Sequence, residues 1–161
     1  MSALQPPVVR VQAAPFDPGT ELNAFAQGDF GIGAVAAFVG LVRDLNLDHD
    51  VVALHLEHYP GMTERALEDI AAQAAQRWSL ARCLVIHRYG DLLPADPIVM
   101  VLCASAHRGD AFAACEFVMD FLKTQAPFWK RETTPEGPRW VDARASDDMA
   151  AARWQAGRAH E

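Results

Sequence analysis

The chain has 161 residues, 51% hydrophobic and 22% charged, with 21 acidic against 14 basic side chains and a net charge of −7. A single domain of that size buries roughly 70% of its extended surface, so neither metal nor disulfide is needed to hold a core. The acidic balance argues against nucleic acid or an anionic membrane as partner, since both need a basic face, and no apolar run nears the ~20 residues of a membrane span.

One domain over residues 1–161 is expected, with 1–7 and 155–161 as loose ends. The first seven residues lack the basic and apolar regions of an export signal, which points to the cytoplasm. Val8 to Ala14 reads as a strand. Asp17-Pro18 then opens a short helix, because aspartate suits the N-cap and proline the first helical position. Gly28 is expected to close it. Gly33-Ala-Val-Ala-Ala-Phe-Val-Gly-Leu-Val-Arg43 is continuously apolar, the pattern of a strand covered on both faces.

Residues 44–50 read as a polar loop and Val51 to His58 as a strand. Pro60-Gly61 breaks it, and a helix runs from Thr63, its expected cap, to Trp78. Ala66, Leu67, Ile70, Ala71 and Ala74 form the apolar stripe of that helix. Two strands follow, Arg82 to Tyr89 and Pro97 to Ala106, separated by a turn region from Gly90 to Ala95. Gly109-Asp110 opens a long helix to Gln125, with Phe112, Cys115, Met119 and Leu122 at helical spacing. Ala126-Pro127 ends it. A hairpin from Phe128 to Thr133 and Arg139 to Ala143 comes next, then a short helix around Asp147 to Trp154. Strands and helices mix without a βαβ rhythm. The expected class is therefore α+β, a mainly antiparallel sheet with packed helices and a small β-hairpin subdomain.

Cys83, Cys103 and Cys115 each sit in an apolar stretch, which predicts buried thiols in a reducing compartment and no sulfur-relay cysteine. His55 and His58 are three apart on a strand and so point to opposite faces, while His49 and His87 lie elsewhere. No metal site is expected.

Ser105-Ala-His-Arg-Gly-Asp110 stands where a buried strand passes into a helix. Free N–H groups there suit an anion, with Arg108 as a bidentate grip, or the segment is an ordinary turn with Asp110 as cap. In Lys123-Thr-Gln-Ala-Pro-Phe-Trp-Lys-Arg-Glu132, Lys123 complements a helix dipole and could pair with Glu116 or Asp120. Alternatively, Phe128 and Trp129 exclude water around it and tune it for acid–base work. Converged, Lys123, Lys130, Arg131, Arg108 and Arg43 make a basic pocket for a compact anion such as a small phosphorylated metabolite. Serine-hydrolase, dinucleotide and phosphate-loop motifs are absent.

In order and spacing, these segments resemble the large, catalytic subunit of molybdopterin synthase. The matching stretches are Gly33–Arg43, Leu56-Glu-His-Tyr-Pro-Gly-Met-Thr-Glu64, Val85-Ile-His-Arg-Tyr-Gly90, Ser105–Arg108, Phe121–Glu132 and Pro135-Glu-Gly-Pro-Arg-Trp-Val141, over roughly residues 8 to 154. The resemblance implies a fold of α/β-hammerhead type and a homodimer at the centre of a heterotetramer. Each protomer of the dimer takes one small ubiquitin-like sulfur-carrier subunit with a C-terminal thiocarboxylate.

Cyclic pyranopterin monophosphate is the implied substrate, and no cofactor is implied. Lys123 and Lys130 are the implied catalytic residues. Leu41, Val42, Arg43, His107, Arg108, Arg131 and Glu132 join them in holding substrate, with the contact at Leu41 made by backbone because relatives often carry a basic residue there. Two other functions remain open: a non-catalytic dimeric scaffold binding a phosphorylated ligand and a ubiquitin-like tail, and a stand-alone phospho-metabolite hydrolase.

Overall fold

The computed structural model describes residues 4–43, 45–46, 49–50, 53–141 and 145–156. In chain order these form β1 (Val8–Gln12), α1 (Pro18–Phe25), β2 (Ala34–Leu41), β3 (Leu45–Asn46), β4 (His49–Asp50), β5 (Ala53–His58) and α2 (Met62–Trp78). There follow β6 (Arg82–Arg88), β7 (Gly90–Leu92), β8 (Pro97–Ser105), α3 (Arg108–Gln125), β9 (Phe128–Thr134), β10 (Gly137–Val141) and α4 (Ala145–Ala156). The expected strand start at Val51, hairpin end at Ala143, and outermost residues of the two loose ends lie outside the described residues.

The first sheet runs β1-β6-β8-β2, and only its β1–β6 pair is parallel among the described strands. Its two central strands bury both faces, as their near-continuous apolar sequences require. On one face Cys83, Val85, Val99, Val101 and Cys103 meet α2, α3 and α4. On the other, Leu84, Ile86, Met100 and Leu102 are covered by Phe16 and Phe25, which flank and end α1. The Asp17 carboxylate caps α1 by accepting the Thr20 N–H. That helix stops at the Ala26 cap, so Gly28, with φ +79°, serves the turn beyond rather than the cap.

Strand β2 is the edge of this sheet, and its outer half differs from expectation. Phe38, Val39 and Leu41 are exposed, on both faces of the strand, since Phe38 shares the face of Ala36 and Val39 that of Val35. The apolar run is thus uncovered toward its end in a single chain. Within the segment expected as a loop, β3 and β4 pair as a small ribbon, Leu45 with Asp50 and Asn46 with His49.

Helix α2 begins one residue before Thr63. Gly61 takes the cap position at φ +84°, where a Cβ would be strained, and its N–H donates to the Glu64 carboxylate. Thr63 is buried instead: its hydroxyl accepts the Tyr59 N–H and donates to the Pro127 carbonyl, 3.1 Å away. In α3 the expected apolar face holds for Cys115, Met119 and Leu122, whereas Phe112, near the first turn, projects into solvent. Helix α4 closes over α3. Its Trp154 packs edge-on against Trp78 and Phe117 and donates to Asp120, while Arg153 binds both Asp120 and Glu116. The two carboxylates considered as partners for Lys123 are thereby engaged by α4.

The second sheet runs β10-β9-β5-β7, all antiparallel. The expected hairpin is its outer half, and part of the Gly90 turn region supplies β7. Leu54, Leu56 and Leu92 of this sheet cluster with Val42, and Ile98 and Phe128 pack against both this cluster and the main core. Those two side chains join the sheets.

Candidate functional site

Helix α3 antiparallels β8, and its last turn carries the exposed Lys123 back toward the second sheet. Pro127 then ends the helix, and the bond from Thr63 holds the crossing at that carbonyl. Strand β9 starts at once, and its alternation sorts the next residues onto two faces. Phe128, Lys130 and Glu132 stand opposite His58, Leu56 and Leu54 of β5. Trp129 and Arg131 take the other face, opposite Glu57 and His55.

On the first face Phe128 stacks on His87 of β6, with ring centroids 3.8 Å apart and planes at 19°. The His58 ring lies 4.0 Å from that of Tyr89. Burial, above all, pushes the His87 pKa down to about 3, and the charges of Lys123, Lys130 and His58 push the same way against a bond to the Arg88 carbonyl. The charges of Lys123 and Lys130 thus both act on one buried ring. Lys130 is half-buried and Glu132 buried, and both lysines and Glu132 are engaged by neighbouring groups. Val42 is buried in the adjoining cluster. Leu41 and Arg43 flank it, exposed, where β2 ends opposite Pro97 of β8.

Three of the expected residues lie elsewhere in a single chain. Arg131 projects from the opposite face of β9, with its guanidinium 5.9 Å from the Trp140 ring. His107 and Arg108 stand exposed at the start of α3. Fifteen residues of helix separate Arg108 from Lys123, about 22 Å at 1.5 Å per residue. No side chain spans that gap, so the two groups of expected residues stand apart in one chain.

The other histidine of the β5 pair behaves differently. His55 lies between Asp91 and Glu57, at 2.7 and 2.6 Å, and those carboxylates raise its pKa. Among the described residues, no group of three or more His, Cys, Asp or Glu side chains could hold a metal ion. All three cysteines are buried and free. Hydrogen bonding to Cys115 and Cys83, with burial, pushes the Cys103 thiol up and keeps it protonated. No described helix is long and apolar enough to cross a membrane.

His58, His87 and Tyr89 also lie in this region, and spacing along the chain does not single them out. His87 and Phe128 are distant in sequence, and only the packing of two sheets stacks their rings. The one available signal was a histidine within an otherwise apolar strand, which sequence alone reads as a surface or hydrogen-bonded side chain.

Residues 11–125 match the family described as MoaE protein. The molybdopterin synthase catalytic subunit of Pseudomonas aeruginosa is 62% identical over 147 residues, covering 91% of this chain and 98% of that protein. Among solved structures, the molybdopterin biosynthesis MoaE protein of Burkholderia ambifaria superposes with a TM-score of 0.78 at 58% identity, over 92% of this chain and 97% of that one. A protein–protein complex of subunits 1 and 2 of the molybdopterin-converting factor from Helicobacter pylori contains the same fold, with a TM-score of 0.71 at 20% identity, over 84% of this chain and 91% of its counterpart.

Proposed function

This chain belongs to the MoaE protein family, and on that premise we propose that it is the catalytic subunit of a molybdopterin synthase. It transfers sulfur from the C-terminal thiocarboxylate of a small ubiquitin-like partner to cyclic pyranopterin monophosphate, forming the dithiolene of molybdopterin. The observation that carries this reading is that the charges of Lys123 and Lys130 both act on the buried His87 ring, which stacks on Phe128. Two ammonium groups against an apolar wall suit an anionic substrate and an anionic sulfur donor, because fewer waters compete for their charge.

In this reading Lys123 is the acid or base during sulfur attack and release of the partner's acyl group, and Lys130 stabilises the developing negative charge. Leu41, Val42 and Arg43 border the same end of the fold and, with Glu132, help to hold the substrate. Sulfur arrives on the partner, which agrees with three cysteines that are all buried. The separation of His107 and Arg108 from Lys123 supports a homodimeric core, in which a second copy lends its helix start to the lysine end of the first. The whole chain acts as one catalytic domain. Its free thiols suit the reducing cytoplasm.

The test is reconstitution of the purified chain with thiocarboxylated partner and pterin precursor, following dithiolene formation. Lys123→Ala is expected to keep partner and precursor binding while losing roughly a hundredfold or more in turnover, the usual share of a general acid–base group. Unchanged turnover at matched fold and partner occupancy would sink the assignment and leave a binding scaffold. Turnover without any partner protein would point to a hydrolase.

A further inference from the structure

Lys123 and Lys130 ride on different elements, and their spacing is set where α3 gives way to β9. Lys130 stands on β9, which is registered against β5 with Lys130 opposite Leu56 and Phe128 opposite His58. Lys123 belongs to the last turn of α3. Between them the chain passes through Pro127, which has no N–H, so only its carbonyl can tie the crossing to a neighbour. The backbone bonds on either side are local: Ala126 N–H to the Leu122 carbonyl at 3.4 Å, and Phe128 N–H to the Ala126 carbonyl at 2.9 Å.

The longer-range tie comes from Thr63, at the start of α2. Its Oγ1 lies 3.0 Å from the Tyr59 nitrogen and 3.1 Å from the Pro127 oxygen. An amide only donates and a carbonyl only accepts, so both directions are forced: Oγ1 accepts from Tyr59, and its own proton goes to Pro127. The Thr63 N–H returns to the Tyr59 carbonyl at 2.9 Å, which closes a reciprocal pair around Pro60 and Gly61. Thr63 is 0% exposed, and its β-branched side chain has little rotamer freedom. Tyr59 directly follows β5, the strand against which Lys130 is registered. One hydroxyl thus refers the end of α3 to the strand that places Lys130.

We propose that Thr63 is a positioning residue for sulfur transfer: its hydroxyl, held by the Tyr59 N–H, pins the Pro127 carbonyl and so fixes the spacing between Lys123 and Lys130. This rests on the reading of those two lysines as the groups that act on substrate. The need is geometric. An acid–base group and a charge stabiliser work on the same reacting atoms, and a misplacement of about 1 Å costs roughly a hundredfold in rate. A buried hydroxyl does not reach the substrate, so its effect runs through the backbone it holds.

The test compares Thr63→Val, which keeps the shape and loses the hydroxyl, with Thr63→Ser, which keeps the hydroxyl and loses a methyl. Both are assayed in the full complex with thiocarboxylated partner and pterin precursor, well below their unfolding midpoints. Thr63→Val is expected to lose about tenfold or more in kcat with KM changed less than about threefold, because displaced groups fail the transition state rather than substrate binding. Thr63→Ser stays within about threefold of wild type. Leu102→Val, on the α1 face of the first sheet, serves as the stability control. It lowers Tm by a comparable few degrees and leaves kcat within about twofold. Added to Lys123→Ala, Thr63→Val costs less than about twofold more, since no spacing is left to hold.

Wild-type kcat in Thr63→Val overturns the proposal. Equal loss in the two Thr63 variants, or a fully multiplied loss in the double variant, overturns it too and marks packing alone. Should Thr63→Val not fold, the wild-type complex decides. In a threonine-labelled NMR spectrum the Thr63 hydroxyl proton should exchange slowly enough to be seen, and a rapidly exchanging hydroxyl overturns the proposal. Full turnover in Lys123→Ala fails the underlying assignment of the lysines instead.

Discussion

The two ends of α3 have the same kinds of functional side chain but opposite surroundings. Beyond its C-terminal end Phe128 stacks on the buried His87 ring and joins the two sheets, and the charges of Lys123 and Lys130 both act on that ring. At its N-terminal end His107 and Arg108 stand in solvent, and neighbouring Phe112 is 66% exposed. A finished site is desolvated and crowded; the second end is neither. On the proposed reading, the difference makes one end a built half-site and the other an offered one, with the exposed half of β2 among the offered surfaces.

The sharpest way to break that comparison is complementation. Lys123→Ala and Arg108→Ala are each expected to lose roughly a hundredfold or more in dithiolene formation as pure proteins. Mixed and allowed to exchange subunits, they should recover about a quarter of wild-type activity, because half of the dimers are then mixed and each regains one intact site. No recovery after proven exchange would return both residues to a single chain and contradict the 22 Å separation estimated from helix geometry.

A smaller effect separates the two faces of β9. Lys130→Ala should lower turnover by about tenfold to a hundredfold, since it removes charge stabilisation beside the stack. Arg131→Ala, on the face of His55 and Trp140, should cost less than about threefold in the same assay. Reversal of that order would place the substrate on the other side of the sheet.

The remaining expected effect concerns stability. His87 in the folded chain titrates near 3, and in the unfolded chain near 6.5. Between those values the unfolded state binds the extra proton, so stability falls as pH drops from 6.5 toward 3, by about 1.4 kcal/mol per pH unit at most. Above pH 6.5 the group contributes no slope. Urea midpoints across that window should decline less steeply in His87→Phe than in the wild type, and parallel slopes would show that the ring titrates normally when folded.

Much of this architecture is legible in the sequence because local rules decide it. Asp17 caps α1 as its side-chain chemistry demands, the α2 stripe packs as its spacing requires, and His55 and His58 diverge because strand alternation forces them to. The lysine stretch also stands out, since two cations beside two aromatics at a proline break are rare in solvated surface. What stayed hidden is tertiary. Nothing local tells Thr63 to prefer the Pro127 carbonyl over a cap, or Gly90–Leu92 to pair with β5. Nor can spacing along one chain reveal that Arg108 and Lys123 are held apart by the very helix that joins them.

The alternation of β9 has a consequence for anyone aligning distant relatives. Two cations, Lys130 and Arg131, are neighbours in sequence but belong to different surfaces, so side-chain parity along the strand carries the chemical information. A one-residue gap placed anywhere between Pro127 and Lys130 would exchange them while leaving charge, composition and strand length unaltered. Such an alignment would still look like a basic motif and would describe a protein with the buried face of this strand turned to solvent.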